Sequence, residues 1–116
     1  FCVSLAEAIS CGCYPIATGM GAIPETSFGR GKYIPMSGQN TPRGWIPDEQ
    51  FHNAFAEEVI QALNFFDSHR HHFENATRDL SQLARETYSW ERVAKMWEKE
   101  IKKLTANRTF KRGFGV

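Results

Sequence analysis

The residues of this sequence with the clearest chemical potential lie near its start, where a helix N-terminus meets a glycine-bearing loop. Ser4 and Glu7 have the spacing of a capping box, which predicts Ser4 as the N-cap of a short helix and Glu7 as its N3 residue. The unpaired amides and partial positive charge of such a helix start suit a phosphate group. The Glu7 carboxylate could serve in this cap or accept hydrogen bonds from a diol.

A short α/β unit would position these groups. Apolar residues at helical spacing predict a helix after Ser4, and Gly12 is its expected C′ residue. Residues 14 to 18 and 32 to 36 each predict a short buried strand, and Pro24 is placed to begin one helical turn between them. Two parallel-type strands with helices after them indicate part of an α/β layered fold.

The rest of the chain predicts a loop and then three helices. Residues 37 to 47 hold two prolines and two glycines, which predicts a surface loop of about eleven residues. Asp48 and Ser89 are the expected N-caps of the first and third helices, and the second is expected from about Arg70 to Glu86. Each helix has apolar residues at spacings of three and four. On the third, these are Trp90, Val93, Ala94, Trp97, Ile101 and Leu104.

Composition limits the classes of function that the chain can have. A chain of 116 residues is at most one domain, and its net charge of +1 argues neither for nor against a polyanionic partner. No apolar run approaches the roughly 20 residues that span a bilayer, and no secretory signal is present. The chain lacks an initiator Met and starts within an apolar stretch. We therefore expect a fragment or isolated domain, with the missing strands before Phe1.

Three groups of residues could be interpreted as functional sites, and each also has a structural interpretation. Cys2, Cys11 and Cys13 do not have the usual zinc spacing and are expected to be small buried thiols in a reducing compartment. The run from His69 to His72 lacks further metal ligands nearby and is expected to be a solvated helix start. The basic and aromatic tail, residues 105 to 116, is interpreted either as a weak contact to an anionic membrane or companion domain, or as a frayed or tethered terminus.

Several segments together resemble a known family. Phe1 to Ala8, Cys11 to Thr18 and Gly21 to Glu25 are similar to the C-terminal domain of the group 1, retaining, nucleotide-sugar-dependent glycosyltransferases of the GT-B fold. Lys32 to Met36 resembles the strand before the donor-side loop of that family, and Tyr88 to Ala94 resembles the start of its last helix. The resemblance covers about residues 1 to 104.

The resemblance implies a fold and an activity. The fold would be the C-terminal part of a Rossmann-like GT-B domain, with short parallel strands followed by three helices over residues 1 to 104 and a tail over residues 105 to 116. The whole protein would transfer a sugar from a nucleoside-diphosphate sugar to an acceptor hydroxyl with retention, without a metal or other cofactor. Its partners would be the nucleotide-sugar donor and an N-terminal acceptor-binding domain, with no nucleic acid. Its location would be cytoplasmic, with a weak peripheral membrane contact left open.

The resemblance also implies roles for particular residues. The family signature has two glutamates separated by seven residues, and Glu7 matches the second, which binds the ribose hydroxyls. The first would lie two places before Phe1, so the catalytic residues are unknown here. The amides of Cys2, Val3 and Ser4 match the loop that touches the donor sugar and diphosphate. Further loop contacts are expected at Gly19 and Gly21. The sequence departs from the family at Cys2 and Ala22, where glycines are common.

Three alternatives remain open at this stage. A sugar-nucleotide epimerase of GT-B architecture would use similar phosphate and ribose contacts. A non-catalytic interaction domain could have kept the fold, and an unrelated α/β module could bind a phosphate at a helix start. The absence of a Walker-type G-K-[ST] segment and of a full G-x-G-x-x-G argues against the usual modules of that last kind.

Overall fold

The computed structural model describes residues 1 to 106, which form a mixed α/β structure with short strands in small sheets and three long helices. Contacts divide the chain into a first unit, Phe1–Arg85, and a second that begins at Glu86. In chain order the elements are α1 (Val3–Ser10), β1 (Ile16–Thr18), α2 (Ile23–Thr26), β2 (Lys32–Ile34), β3 (Gly38–Thr41), β4 (Gly44–Pro47), α3 (Glu49–Ser68), α4 (Arg70–Tyr88) and α5 (Trp90–Ala106).

The two predicted strands pair in parallel, with Ile16 opposite Lys32 and Thr18 opposite Ile34. Both are shorter than expected, because β1 begins two residues later and β2 ends two residues earlier. The predicted helical turn between them is confirmed as α2, with Pro24 in its first turn. This β–α–β arrangement brings the carboxyl ends of β1 and β2 to one edge, where ligands commonly bind in α/β proteins.

Residues 37 to 47 are a β-hairpin, so the predicted surface loop was wrong. Strands β3 and β4 pair antiparallel, with Thr41 opposite Gly44 across a two-residue turn. The Thr41 hydroxyl donates to the Gly44 carbonyl at 2.8 Å and accepts from the Arg43 amide at 3.3 Å. Proline at position 42 excludes the I′ and II′ turns usual in such hairpins, which explains why no hairpin was predicted from the sequence.

Asp48 caps α3 as predicted and also closes the base of the hairpin. Its carboxylate accepts from the Phe51 amide at 2.9 Å and from the Ser37 hydroxyl at 2.5 Å. The Asp48 amide in turn donates to the Ser37 carbonyl at 3.1 Å. The pKa of Asp48 is lowered, first by the hydrogen bond from Ser37 and then by that from Phe51, because both favour the charged carboxylate.

The core of the first unit lies between the β1–β2 sheet and the helices. Its buried apolar side chains come from α1, β2, α3 and α4, and they are Ala6, Ile9, Ile34, Phe51, Leu80 and Ala84. Helix α3 contacts both strands of the parallel pair, and Lys32 of β2 lies 3.6 Å from the Glu58 carboxylate of α3. Burial of these side chains supplies the main favourable free energy of folding for this unit.

The second unit confirms the predicted cap of α5 and contains an ion pair along the same helix. The Arg92 amide donates to the Ser89 hydroxyl at 3.3 Å, and Lys102 Nζ lies 2.5 Å from Glu98 Oε1. None of the α5 residues is buried, although the expected apolar stripe is present; Trp90 is 87% exposed. The predicted tail lies outside the described residues except for Thr105 and Ala106, which belong to α5. The predicted boundary after Leu104 therefore stays a prediction.

The cysteines correct one expectation and the histidines confirm another. Cys11 and Cys13 are exposed and Cys2 is half-buried, so the prediction of buried thiols was wrong. The two exposed cysteines flank Gly12, at the end of α1. All four residues from His69 to His72 are exposed, as expected for a solvated helix start. Within residues 1 to 106, no helix combines the length and apolar character that crossing a bilayer requires.

Candidate functional site

Helix α1 begins two residues earlier than predicted, and this changes the roles of Ser4 and Glu7. Its N-cap is Cys2, in an extended conformation with φ −106° and ψ 97°, and no side chain caps the helix. Ser4 and Glu7 both lie inside the helix, so the predicted capping box was wrong. Val3 is also inside the helix and exposed. The physical reason lies in α2, which fixes the chain entering α1.

Thr26 of α2 provides that anchor. Its side chain is buried, with 1% exposed, and its Oγ1 accepts a hydrogen bond from the Cys2 amide at 3.3 Å. The same hydroxyl donates to the Ala22 carbonyl at 2.8 Å. Thr26 therefore joins the start of α1 to the loop that leaves the carboxyl end of β1. Sequence reasoning missed this residue, because nothing local distinguishes a threonine that makes a long-range contact.

The first turn of α1 presents unpaired backbone donors. The first intrahelical hydrogen bond runs from the Ala6 amide to the Cys2 carbonyl at 3.1 Å, so the amides of Val3, Ser4 and Leu5 have no partner within the helix. The positive end of the helix dipole lies at the same place. Ser4 is exposed, and its side chain makes no cap hydrogen bond. These groups together favour an anion.

Glu7 is exposed on α1, and its carboxylate has no hydrogen bond or ion pair with the residues that the structure describes. It lies four residues after Val3, beyond the first turn. Because the helix does not use this carboxylate as a cap, both of its oxygens can accept hydrogen bonds from a ligand. No other residue of α1 is ionisable.

The glycine-bearing loop lies at the carboxyl ends of β1 and β2. The Gly19 amide donates to the Ile34 carbonyl at 3.1 Å, which fixes the loop on the last residue of β2. Gly19 and Gly21 are both exposed, and Gly21 has φ +57°, a left-handed conformation that glycine adopts at little cost. Ala22 has φ −83° and ψ 8°, which any residue adopts, so alanine there does not distort the loop.

Hydrogen bonds also fix the C-terminal end of α1. Gly12 has φ +90°, and the amides of Gly12 and Cys13 donate to the carbonyls of Ile9 and Ala8, as in a Schellman motif. This confirms Gly12 as the C′ residue. The Ser10 carbonyl accepts from the Ser81 hydroxyl at 2.7 Å and from Arg85 Nε at 2.8 Å. The guanidinium also complements the negative end of the helix dipole.

The structure thus brings the amides of Cys2, Val3 and Ser4 toward the Gly19–Ala22 loop through Thr26, and it leaves Glu7 exposed on the same helix. Among residues 1 to 106, no group of three or more His, Cys, Asp and Glu side chains is placed to hold a metal ion. The donors and the single carboxylate can bind and orient a phosphorylated diol. Comparison of the chain with protein families, with curated proteins and with solved structures finds no match.

Proposed function

We propose that this chain is the donor-nucleotide-binding part of a retaining glycosyltransferase of the GT-B fold. The whole protein transfers a sugar from a nucleoside-diphosphate sugar to an acceptor hydroxyl. The observation that carries the proposal is an exposed, unpartnered Glu7 on a helix whose free N-terminal amides lie beside the loop at the carboxyl ends of two parallel strands.

The diphosphate of the donor lies at the start of α1 in this proposal. The amides of Val3 and Ser4 supply hydrogen bonds, and the helix dipole supplies partial positive charge. The anchoring of Cys2 by Thr26 supports this role, because donors that are fixed in advance lose little entropy when they bind an anion. The exposed glycines of the following loop let the sugar diphosphate approach the backbone.

Glu7 binds the ribose hydroxyls. A carboxylate accepts a hydrogen bond on each oxygen, which matches two neighbouring hydroxyl donors. The main competing role for this residue was the N-terminal cap of α1, and α1 has no side-chain cap. That observation supports a ligand role, since an exposed glutamate without a partner contributes little to the fold.

Catalysis requires stabilisation of the leaving diphosphate while the sugar is transferred with retention. The preorganised amides of α1 share the negative charge that develops on the leaving oxygen. The acceptor site and its groups belong to the N-terminal domain. We therefore expect residues 1 to 116 alone to bind nucleotide weakly and to transfer no sugar, and turnover by that piece would contradict the proposal.

Titration of the intact protein with a nucleoside diphosphate tests the proposal. The Glu7→Ala variant loses two charge-assisted hydrogen bonds and should bind the nucleotide about 100-fold more weakly or worse, since each bond contributes roughly 1.5 kcal/mol or more. Glu49→Ala is a matched control, because Glu49 is an exposed glutamate in the first turn of α3.

A dideoxy nucleotide makes the test specific for the ribose. The 2′,3′-dideoxy diphosphate should bind the unchanged protein as weakly as the ordinary nucleotide binds Glu7→Ala. The dideoxy diphosphate should also bind Glu7→Ala and the unchanged protein with equal affinity, because the hydroxyls and the carboxylate form a single interaction. Equal affinity of a folded Glu7→Ala variant for the ordinary nucleotide would refute the ribose role.

A further inference from the structure

A cavity of about 580 Å³ lies at the amino ends of β1 and β2, at the end of the strands away from the Gly19–Ala22 loop. Its volume falls within the roughly 300 to 1,000 Å³ of small-molecule sites. The side chains that matter for its chemistry are those of Tyr14, Arg30, His72, Asn75, Asp79 and Leu80. None of these residues belongs to the proposed nucleotide site.

Helix α4 and the segment before β2 form the walls of the cavity. His72, Asn75 and Asp79 are spaced three and four residues apart on α4, so they share one face of a continuous helix. The opposite wall is the segment before β2, where the Arg30 carbonyl accepts from the Tyr33 hydroxyl at 2.9 Å. Tyr14 packs against Phe73 of α4, with ring centroids 5.2 Å apart.

The charged side chains of the cavity, those of Arg30 and Asp79, are exposed and are not used by the fold. Arg30 and Asp79 form no ion pair with each other, and neither side chain has a hydrogen-bond or ion-pair partner among residues 1 to 106. The Asn75 amide does contact His71 Nε2, at 3.3 Å, and keeps its remaining donor and acceptor capacity. A guanidinium and a carboxylate therefore face the same space without neutralising each other.

The guanidinium, carboxylate and amide groups of the cavity indicate which class of ligand it binds. Arg30 and Asp79 carry opposite charges, so the cavity offers an anion no surplus of positive charge, and a metal site takes several oxygen or nitrogen ligands. Arginine only donates, aspartate only accepts and asparagine does both. Neighbouring hydroxyl groups, which donate and accept at once, match that set. The Tyr14 ring and Leu80 offer apolar surface for C–H groups.

We propose that this cavity binds a neutral sugar unit of an oligosaccharide. Arg30, Asn75 and Asp79 hydrogen-bond its hydroxyls, and Tyr14 contacts an apolar face of the ring. The site is separate from the nucleotide site, so the protein binds carbohydrate there whether or not a nucleotide is present.

Saturation-transfer NMR of the intact protein with maltose and cellobiose tests this proposal. We expect transfer to the sugar ring protons with a dissociation constant of about 1 to 10 mM, as for a site with a few hydrogen bonds. Asp79→Ala and Arg30→Ala should each weaken binding at least tenfold. Arg78→Ala is the matched control, since Arg78 is an exposed residue of the same helix outside the cavity. Circular dichroism checks that each variant is folded.

Two further comparisons separate this site from the nucleotide site. Glu7→Ala and an added nucleoside diphosphate should leave the sugar signal unchanged, and Asp79→Ala should leave nucleotide affinity unchanged. The proposal is overturned if the folded protein shows no transfer to either disaccharide, if nucleotide displaces the sugar, or if both cavity variants bind like Arg78→Ala. A stronger response to glucuronic acid or glucosamine than to the neutral sugars would also overturn it.

Discussion

Replacing Thr26 by valine tests whether its hydroxyl holds the start of α1 in place. Valine keeps the β-branched shape and removes Oγ1, which accepts from the Cys2 amide at 3.3 Å. The Ala22 carbonyl keeps a second donor, the Thr26 amide at 2.9 Å, so the main loss falls on Cys2. Leaving a part-buried amide without its partner costs roughly 1 to 2 kcal/mol, and we expect the free energy of unfolding to fall by about 1.5 kcal/mol.

Urea denaturation followed by circular dichroism measures this change. The midpoint should fall while the m-value stays the same, because the surface exposed on unfolding does not change. Thr77→Val is the matched control. Thr77 is also a buried threonine, but its hydroxyl donates to carbonyls of its own helix, those of Phe73 and Glu74. We expect the free energy of unfolding of Thr77→Val to fall by less than about 0.5 kcal/mol, since those carbonyls also accept helical hydrogen bonds.

Nucleotide affinity gives a second readout for the same pair of variants. If Thr26 fixes the amides that receive the diphosphate, Thr26→Val should bind a nucleoside diphosphate roughly three- to tenfold more weakly, because binding must then order the helix start. Thr77→Val should bind as tightly as the unchanged protein. Equal stability and equal affinity in the two variants would show that the Thr26 hydroxyl does not position α1.

Three further substitutions test other parts of the first unit. Gly31→Ala should destabilise it by about 3 kcal/mol in urea denaturation, because residue 31 has φ +112° and an added Cβ would lie 2.5 Å from the Pro15 carbonyl oxygen. Arg85→Ala should cost about 0.5 to 1 kcal/mol by the same assay, since it removes a charged donor from the C-terminal end of α1. Ser37→Ala should raise the pKa of Asp48 toward its ordinary value of 3.8, as followed by carboxyl ¹³C NMR. The folded-state pKa of Asp48 is lowered, so the ionised carboxylate stabilises the fold above pH 3.8, and this contribution is lost as the pH falls through the lowered pKa.

Each of these predictions has a result that would contradict it. Gly29→Ala is the control for Gly31→Ala, because Gly29 also has a positive φ, +69°, but open space around its Cβ position. Equal losses of stability in Gly31→Ala and Gly29→Ala would exclude the contact between the added Cβ and Pro15 as the cause. No loss in Arg85→Ala would mean that the Ser81 hydroxyl alone satisfies the Ser10 carbonyl. An unchanged Asp48 pKa in Ser37→Ala would contradict the assigned cause of the shift.

The parts of the fold that the sequence predicted are those governed by local rules. Gly12, Asp48 and Ser89 end or begin helices through contacts within a few residues, and each was predicted in that role. Helices α3 and α4 follow from apolar residues at spacings of three and four, because burying one side of a helix is what stabilises it. The parallel strands were also expected, although their ends were not.

The features of the fold that were not predicted depend on residues far apart in the sequence. Ser4 and Glu7 have the spacing of a cap, but Thr26, 24 residues after Cys2, moves the helix start to Cys2. The hairpin lacks alternating apolar residues, and contacts outside its strands support it, including Trp45 packed edge-on against Phe51 of α3 at 4.9 Å. No local pattern contains such information. The helix boundary at the candidate site was therefore predicted wrongly, and the roles of the site residues stay predictions.

The bonds on the Ser10 carbonyl have a consequence for how the protein is made. Ser81 and Arg85 follow Ser10 by 71 and 75 positions, so α1 leaves the ribosome long before the residues that hold its end. At roughly 5 to 20 residues per second, that interval is about 4 to 15 s. During this time the nascent α1 lacks its final docking contacts. We therefore expect α1 to be synthesised well before Ser81 and Arg85 and to reach its native position only after they have been made.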